Sequence, residues 1–122
     1  MTEDAFPQEP GGRRAMSGEA VLNALPLPVL TIGGDERILH CNHAAEAFFD
    51  YSARLMQRRR LRDIIPFASP IIALVADVRR RRASVSEYRV ELTQPRLGLE
   101  RSVDVFATPL ADDDDAVVMM LQ

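Results

Sequence analysis

The stretch Leu25–Phe49, LPLPVLTIGGDERILHCNHAAEAFF, decides the fold of this chain. Pro28–Ile32 is short, apolar and rich in β-branched residues, which predicts a strand, and Arg37–Cys41 has the length and composition of a second strand. Gly33–Glu36 predicts the turn between them, because glycine reaches positive φ without a Cβ clash. The stretch therefore predicts a β-hairpin.

The hairpin is predicted to lead directly into a helix. Asn42 is a favourable N-cap, because its side-chain oxygen can accept hydrogen bonds from first-turn backbone N–H groups. The following residues, His43–Phe49, are mostly good helix formers, with Ala44, Ala47 and Phe48 on one face. A hairpin followed at once by a short capped helix is typical of small α+β sensor domains. It favours signalling over catalysis.

Composition predicts one small domain. The chain has 122 residues, of which 47% are hydrophobic and 27% charged. Its net charge of −3 argues against a general nucleic-acid binder. No apolar run approaches the roughly 20 residues that span a bilayer, and the N-terminus has no signal-peptide pattern. The single cysteine, Cys41, cannot form an intrachain disulfide, so a cytoplasmic protein without membrane contact is expected.

The sequence predicts a short N-terminal tail followed by one domain that begins with helices. Residues 1–16 carry Pro and Gly with little to bury and are predicted to form a flexible tail, and residues 17–122 form the domain. Ser17 is predicted to cap a short helix that ends at Leu25. Tyr51–Pro66 predicts short helical turns, and Ser69 is predicted to cap a longer helix that begins at Pro70. The apolar side of the first helix consists of Val21, Leu22 and Leu25.

The last third is predicted to be β-structure. Ser84–Leu92 and Leu99–Ala107 alternate in polarity, and the first of them places Tyr88, Val90 and Leu92 on one face. Asp112–Asp115 predicts an acidic turn, and Ala116–Leu121 predicts a final buried strand. The predicted side chains lining the interior are apolar: Val29, Leu30, Leu74, Val90 and Val105.

This order of elements resembles a PAS domain, an α+β fold with a five-stranded antiparallel sheet and helices on one face. The phrases LNALPLPVLTIGGDERILHCNHAAEAFF (22–49), SPIIALVADVRRRRASVSEYRVEL (69–92) and SVDVFATPL (102–110) carry a closer resemblance. They are similar to the N-terminal PAS domain of NtrB-type nitrogen-regulation sensor histidine kinases, over roughly residues 18–122. The resemblance also implies an N-terminal capping helix.

The resemblance implies a regulatory module of a two-component phosphorelay that controls transcription. Its expected partners are a second copy of the chain, the kinase core of the same parent chain and, through the parent, a PII-type signalling protein. Dimerisation is expected through Val21, Leu22 and Leu25. The parent would be the phosphotransferase, and whether the gene continues past Gln122 into that core is the decisive observation.

No catalytic residue is predicted within the chain. The phospho-accepting histidine of the family is followed by glutamate, whereas His40 is followed by cysteine and His43 by alanine. No glycine-rich phosphate-binding motif is present in the sequence. The resemblance therefore implies that this fragment is not itself an enzyme. A small-ligand or haem-sensing PAS domain and a stand-alone adaptor are the alternatives, and a visible absorption spectrum tests the haem alternative.

Metal and cofactor sites are not predicted. His40, Cys41 and His43 are three potential metal ligands within four positions, but no second cluster of cysteine or histidine completes a zinc site. Cys41 ends a strand, whereas the flavin-reactive cysteine of photosensing PAS domains lies on a later helix. The long helix has no histidine to hold haem, and the run Asp112–Asp115 lacks the spacing of a calcium loop.

Two groups of arginines mark the predicted helix ends. Arg58–Arg60 with Arg62 form one group and Arg79–Arg82 the other. The favoured interpretation is that both are solvated helix ends, since exposed charges contribute little to stability. A patch that binds an acidic partner is the alternative.

Overall fold

The computed structural model describes residues 17–65, 69–94, 96–111 and 113–122; the predicted tail, residues 1–16, lies outside them. The helices in these ranges are α1 (Gly18–Ala24), α2 (His43–Phe49), α3 (Ala53–Met56), α4 (Leu61–Ile64) and α5 (Pro70–Arg81). The strands are β1 (Val29–Ile32), β2 (Ile38–Cys41), β3 (Val85–Thr93), β4 (Glu100–Leu110) and β5 (Asp113–Leu121). The predicted order of elements is confirmed.

The strands form one antiparallel sheet in the order β2-β1-β5-β4-β3. The last strand, β5, lies in the centre and pairs with β1 on one side and β4 on the other, with Leu30 opposite Met119. The beginning and the end of the domain are therefore neighbours in the sheet. This is the predicted PAS fold, with α1 as the predicted N-terminal helix.

The core lies between one face of the sheet, here called the inner face, and the helices after β2. Its α5 residues are Ile71, Leu74, Val75 and Val78. The predicted interior residues Leu30, Leu74, Val90 and Val105 all belong to this core, but Val29 does not. Val29 pairs with Met120 and lies beside α1 on the opposite, outer face, because neighbouring residues of a strand point to opposite faces.

A β-bulge in β3 reverses the face predicted for Tyr88. Glu87 pairs with Val105, yet Val90 pairs with Val103, so β3 has one extra residue between these pairs. Arg89 takes the left-handed conformation there, with φ of 57°. Tyr88 is 64% exposed and contacts the ring of Phe106 edge-on, with centroids 6.1 Å apart. The predicted alternation holds from Val90 onward and is wrong for Tyr88.

The β1–β2 turn needs its glycines for a different reason than predicted. The residue with positive φ is Glu36, at 69°, as in a three-residue hairpin loop that ends in a left-handed residue. A Cβ atom on Gly34 would lie 2.8 Å from the Cβ of Asp115. Gly34 is therefore required by the close approach of the β4–β5 hairpin, and the prediction of positive φ at the glycines is wrong.

Some predicted strand boundaries also change. β5 begins at Asp113, earlier than predicted, because it pairs from that residue with Leu110. β4 continues past Ala107, where its pairing with β3 ends. Pro109 is tolerated because it pairs only with Val117 of β5, so β4 is an edge strand at this point. On α2, one face lines an open groove and carries the three residues predicted to share it: Ala44, Ala47 and Phe48. The buried residues of this helix are Ala45 and Phe49.

Candidate functional site

Asn42 caps α2, as predicted, and is 1% exposed. Its backbone is extended, with φ of −91° and ψ of 176°, so the helix begins at the next residue. Its side-chain Oδ1 accepts from the N–H of Ala45 at 3.0 Å and from the N–H of Val29 at 2.9 Å. One carbonyl oxygen therefore holds both the first turn of α2 and the start of β1.

The other half of the Asn42 amide holds α1. Its Nδ2 donates to the carbonyl oxygens of Leu22 and Leu27, each at 2.9 Å. A second bond joins the same elements, because Asn23 Oδ1 accepts from the N–H of His43 at 3.0 Å. The sequence predicted the cap and missed these two donated bonds. The available signal was that the capping residue is an amide, which can donate as well as accept.

Hydrogen bonds around Asn42 also connect to the C-terminal end of β5. Asn42 donates its backbone N–H to the carbonyl oxygen of Val29 at 3.1 Å. Pro28 accepts from the N–H of Leu121 at 3.0 Å, and Asp104 and Gln122 exchange two backbone bonds of 2.9 Å. The segment that joins α1 to β1 is thus bonded both to Asn42 and to the last residues of β5. We call this arrangement the Asn42 junction.

α1 itself buries little. Ser17 caps it, as predicted, by accepting from the N–H of Ala20 at 3.0 Å, but none of its residues is buried. Val21 is 45% exposed and Leu25 is 40% exposed. A groove of about 350 Å³ separates this helix from the outer face of the sheet. Its walls are mainly apolar, from Leu22 and Leu25 on one side and Val29, Phe106, Val118 and Met120 on the other.

The candidate metal ligands are not brought together. Among the described residues no group of three or more cysteine, histidine or acidic side chains has the geometry of a metal site. Cys41 is half-buried at the end of β2. Burial raises the pKa of its thiol to about 11, and the charge of Glu46 acts in the same direction. This thiol is protonated at neutral pH and is a poor nucleophile.

The remaining predicted residues have structural roles. Ser69 caps α5 by accepting from the N–H of Ile71 at 3.2 Å, with Pro70 at the first helical position. Arg79 donates to the carbonyl oxygens of Gly33 and Asp115. In the described part of the chain, no helix is both long enough and apolar enough to span a membrane.

Comparisons with known proteins agree with this geometry. A family model described as PAS domain matches residues 19–85. The chain is 39% identical over 122 residues to the sensory histidine kinase/phosphatase NtrB of Rhizobium meliloti, which aligns with 100% of this chain and 31% of the relative. It is 34% identical over 107 residues to NtrB of Azospirillum brasilense, covering 88% of this chain and 26% of the relative. The chain thus spans about a third or less of these relatives.

Solved structures show the same fold. The PAS domain of nitrogen regulation protein NR(II) from Vibrio parahaemolyticus superposes with a TM-score of 0.75 at 21% identity, covering 88% of this chain and 98% of that one. A PAS domain from Colwellia psychrerythraea superposes with a TM-score of 0.71 at 8% identity, over 84% of this chain and 90% of that one. At these identities the superpositions establish the fold alone.

Proposed function

The chain belongs to the PAS domain family, and from that premise we propose that it is the regulatory module of a two-component nitrogen-regulation histidine kinase. The NtrB relatives, which are named as kinase/phosphatases, support the proposal. Because the chain covers 31% of the first relatives, the kinase and phosphatase activities belong to the rest of the parent in this proposal. The module works in the cytoplasm and tunes the balance between the two activities.

The observation that carries the proposal is the Asn42 junction. A module that transmits a signal must connect the element that changes with the point where the chain leaves the domain. Here one buried amide bonds to α1, to β1 and to α2, and the α1–β1 segment in turn bonds to Leu121. A change in the orientation of α1 therefore reaches the end of β5 through hydrogen-bonded backbone.

The proposed module acts as a homodimer centred on α1. Its apolar side chains Val21 and Leu25 are too exposed to serve the core of a monomer. The groove beneath the helix continues this apolar surface onto the outer face of the sheet. Two copies related by a two-fold axis can cover both surfaces, since such an interface is self-complementary. The relative orientation of the two α1 helices is then the state that the module passes on.

The upstream signal is proposed to reach the parent chain from a PII-type protein. Support comes from the interior of the domain, where buried side chains of α5 pack directly against those of the sheet: Leu74, Val75, Val90 and Val105. A regulatory module with such an interior is expected to respond to contacts at its surface.

Deleting residues 17–122 from the parent kinase tests this function. We expect the remaining core to autophosphorylate, but with a ratio of kinase to phosphatase activity that no longer responds to a PII-type protein. Autophosphorylation from labelled ATP and dephosphorylation of the cognate response regulator are the two measurements. An unchanged ratio with an unchanged response would contradict the proposal.

A further inference from the structure

The two arginine groups have different environments. In the α5 group, Arg79 donates to the carbonyl oxygens of Gly33 at 2.7 Å and Asp115 at 2.8 Å. Arg80 and Arg81 both pair with the carboxylate of Asp77 on their own helix. These arginines therefore have internal partners, as expected for charges at the end of a helix.

The group between α3 and α4 lacks such partners. Arg58, Arg59 and Arg60 are exposed. Within the described ranges, no carboxylate lies at ion-pair distance from any of these three guanidinium groups. Nearby Arg62, by contrast, pairs with Glu36 at 2.9 Å. The turn thus presents three adjacent positive charges that the domain does not neutralise.

The backbone that carries these arginines is fixed. The carbonyl oxygen of Arg59 accepts from the N–H of Ile38 at 3.0 Å, and Leu61 donates to the carbonyl oxygen of Glu36 at 2.9 Å. Gln57 Nε2 donates to the carbonyl oxygen of Leu39 at 3.0 Å. Fully buried Met56 and Leu61 hold the turn on either side. The charges are therefore displayed from a rigid edge of the domain, with little backbone entropy left to lose on binding.

Two guanidinium groups lie over the ring of Tyr51. The Cζ of Arg59 lies 5.6 Å from the ring centroid of Tyr51, and the Cζ of Arg96 lies 4.9 Å from the same centroid. A guanidinium held over a ring keeps its N–H edges available for planar acceptors such as carboxylates. Arg96 Nε also lies 3.6 Å from Asp50 Oδ2, beside these groups.

The charge of Arg60 does not stabilise the fold. Arg37 and Arg60 are directly opposite each other in an isolated antiparallel bridge. Like charges in such a pair are destabilising. Asp35 Oδ2 lies 3.6 Å from Arg37 Nε and partly offsets the repulsion between the two arginines. An opposite charge from outside the domain would relieve the rest.

We propose that Arg58, Arg59, Arg60 and Arg96, arranged around Tyr51, form a docking surface for an acidic segment of a partner protein. Guanidinium groups pair with carboxylates in a bidentate manner. The chain as a whole carries a net charge of −3, which disfavours a long phosphate polyanion. Acidic residues Asp35 and Asp50 border the surface and limit it to a few charges, which suits a short acidic stretch.

An octaglutamate peptide titrated into the isotopically labelled chain tests the proposal by amide chemical shifts. We expect the shifted amides to centre on Tyr51–Arg62 and Arg96. Arg58→Gln/Arg59→Gln should weaken binding about fivefold, the equivalent of two exposed ion pairs. The matched control Arg80→Gln/Arg81→Gln, which removes the same charge from α5, should change affinity less than about twofold.

Three results would overturn the proposal. Equal losses in the two double variants would mean that only net charge matters. Shifts spread over the whole surface would mean that no docking surface exists. Tighter binding of an oligothymidylate of equal charge at the same residues would assign the surface to nucleic acid. Conversely, weaker binding by Arg58→Lys/Arg59→Lys, which keeps the charge but loses the planar fork, would support carboxylate recognition by guanidinium.

Discussion

Asn42 donates a hydrogen bond from its side-chain Nδ2 to the backbone carbonyl oxygen of Leu22, twenty positions earlier, at 2.9 Å. The bond crosses from the cap of α2 to α1, whose own residues bury almost nothing. α1 is therefore held to the domain chiefly by hydrogen bonds, one to the backbone of Leu22 and one to the side chain of Asn23. Its apolar side chains remain available to a second copy of the chain.

Removing the Asn42 side chain should destabilise the domain strongly. Asn42→Ala loses the cap of α2 and leaves the buried N–H of Val29 and the part-buried carbonyl oxygen of Leu27 without partners, at a total cost of about 2–4 kcal/mol. Asn42→Ser keeps a capping oxygen for α2 and loses the amide that donates to Leu22 and Leu27 without adding a charge, so it should cost less. Ser17→Ala, at an exposed cap, should cost about 1 kcal/mol or less. Urea denaturation followed by circular dichroism measures all three, and an unchanged midpoint for Asn42→Ala would show that the junction does not stabilise the fold.

Gly34 should not tolerate a side chain, whereas Gly18 should. An alanine Cβ at Gly34 would lie 2.8 Å from the Cβ of Asp115, while nothing lies within 4 Å of a Cβ at Gly18. We expect Gly34→Ala to lose about 1–3 kcal/mol, because the two hairpins must move apart. Gly18→Ala should change stability by no more than about 0.5 kcal/mol. The free energy of unfolding of each variant checks this, and equal values would refute the close approach.

Cys41 should react slowly in the folded protein. Its pKa is raised from 9.0 to about 11, so near neutral pH its thiolate fraction is about a hundredfold below that of an unperturbed thiol. Iodoacetamide labelling followed by mass spectrometry reads this directly, because Cys41 is the only cysteine. Native labelling as fast as labelling in urea would contradict the burial of the thiol.

The same shift predicts a pH dependence of stability. The thiol ionises at lower pH in the unfolded chain, so its contribution to stability is present below pH 9.0 and is lost as the pH rises towards about 11. Cys41→Ala should flatten the fall in stability over this range. An identical fall in wild type and variant would show that another group causes it.

The dimer prediction depends on α1. Val21→Asp changes a side chain that is 45% exposed in the single domain, so it should leave the fold intact while placing an unpaired charge in the interface. We expect wild type to sediment as a dimer and this variant as a monomer at high micromolar concentration. Leu22→Asp should act in the same way. Leu97→Asp, at a side chain 47% exposed on the β3–β4 loop, is the matched control and should stay dimeric. A monomeric wild type would contradict the α1 interface.

Much of this fold could be predicted from local chemistry. The caps at Ser17, Asn42 and Ser69 are all confirmed, because capping depends on a few adjacent residues. The face of Tyr88 could not be predicted, since a bulge depends on the pairing partner as much as on the strand itself. The need for a glycine at Gly34 arises from Asp115, which only the tertiary fold brings near.

The candidate site was only half predictable. The sequence indicated one accepted hydrogen bond at Asn42, because a helix start is a local pattern. The bonds to Leu22 and Leu27 depend on how α1 folds back across the start of β1, which no local pattern contains. The sequence also could not distinguish the two arginine groups, because the fold determines which arginines have hydrogen-bond or ion-pair partners.

The most direct test introduces Asn42→Ser into the parent kinase, where it removes the bond from Asn42 Nδ2 to Leu22 of α1 and keeps a capping oxygen for α2. We predict that the ratio of autophosphorylation rate to response-regulator dephosphorylation rate shifts by about fivefold or more. The Ser17→Ala parent, still bonded through Asn42, should keep the wild-type ratio. An unchanged ratio in an Asn42→Ser parent that is folded by circular dichroism would contradict the claim that the Asn42 junction transmits the signal.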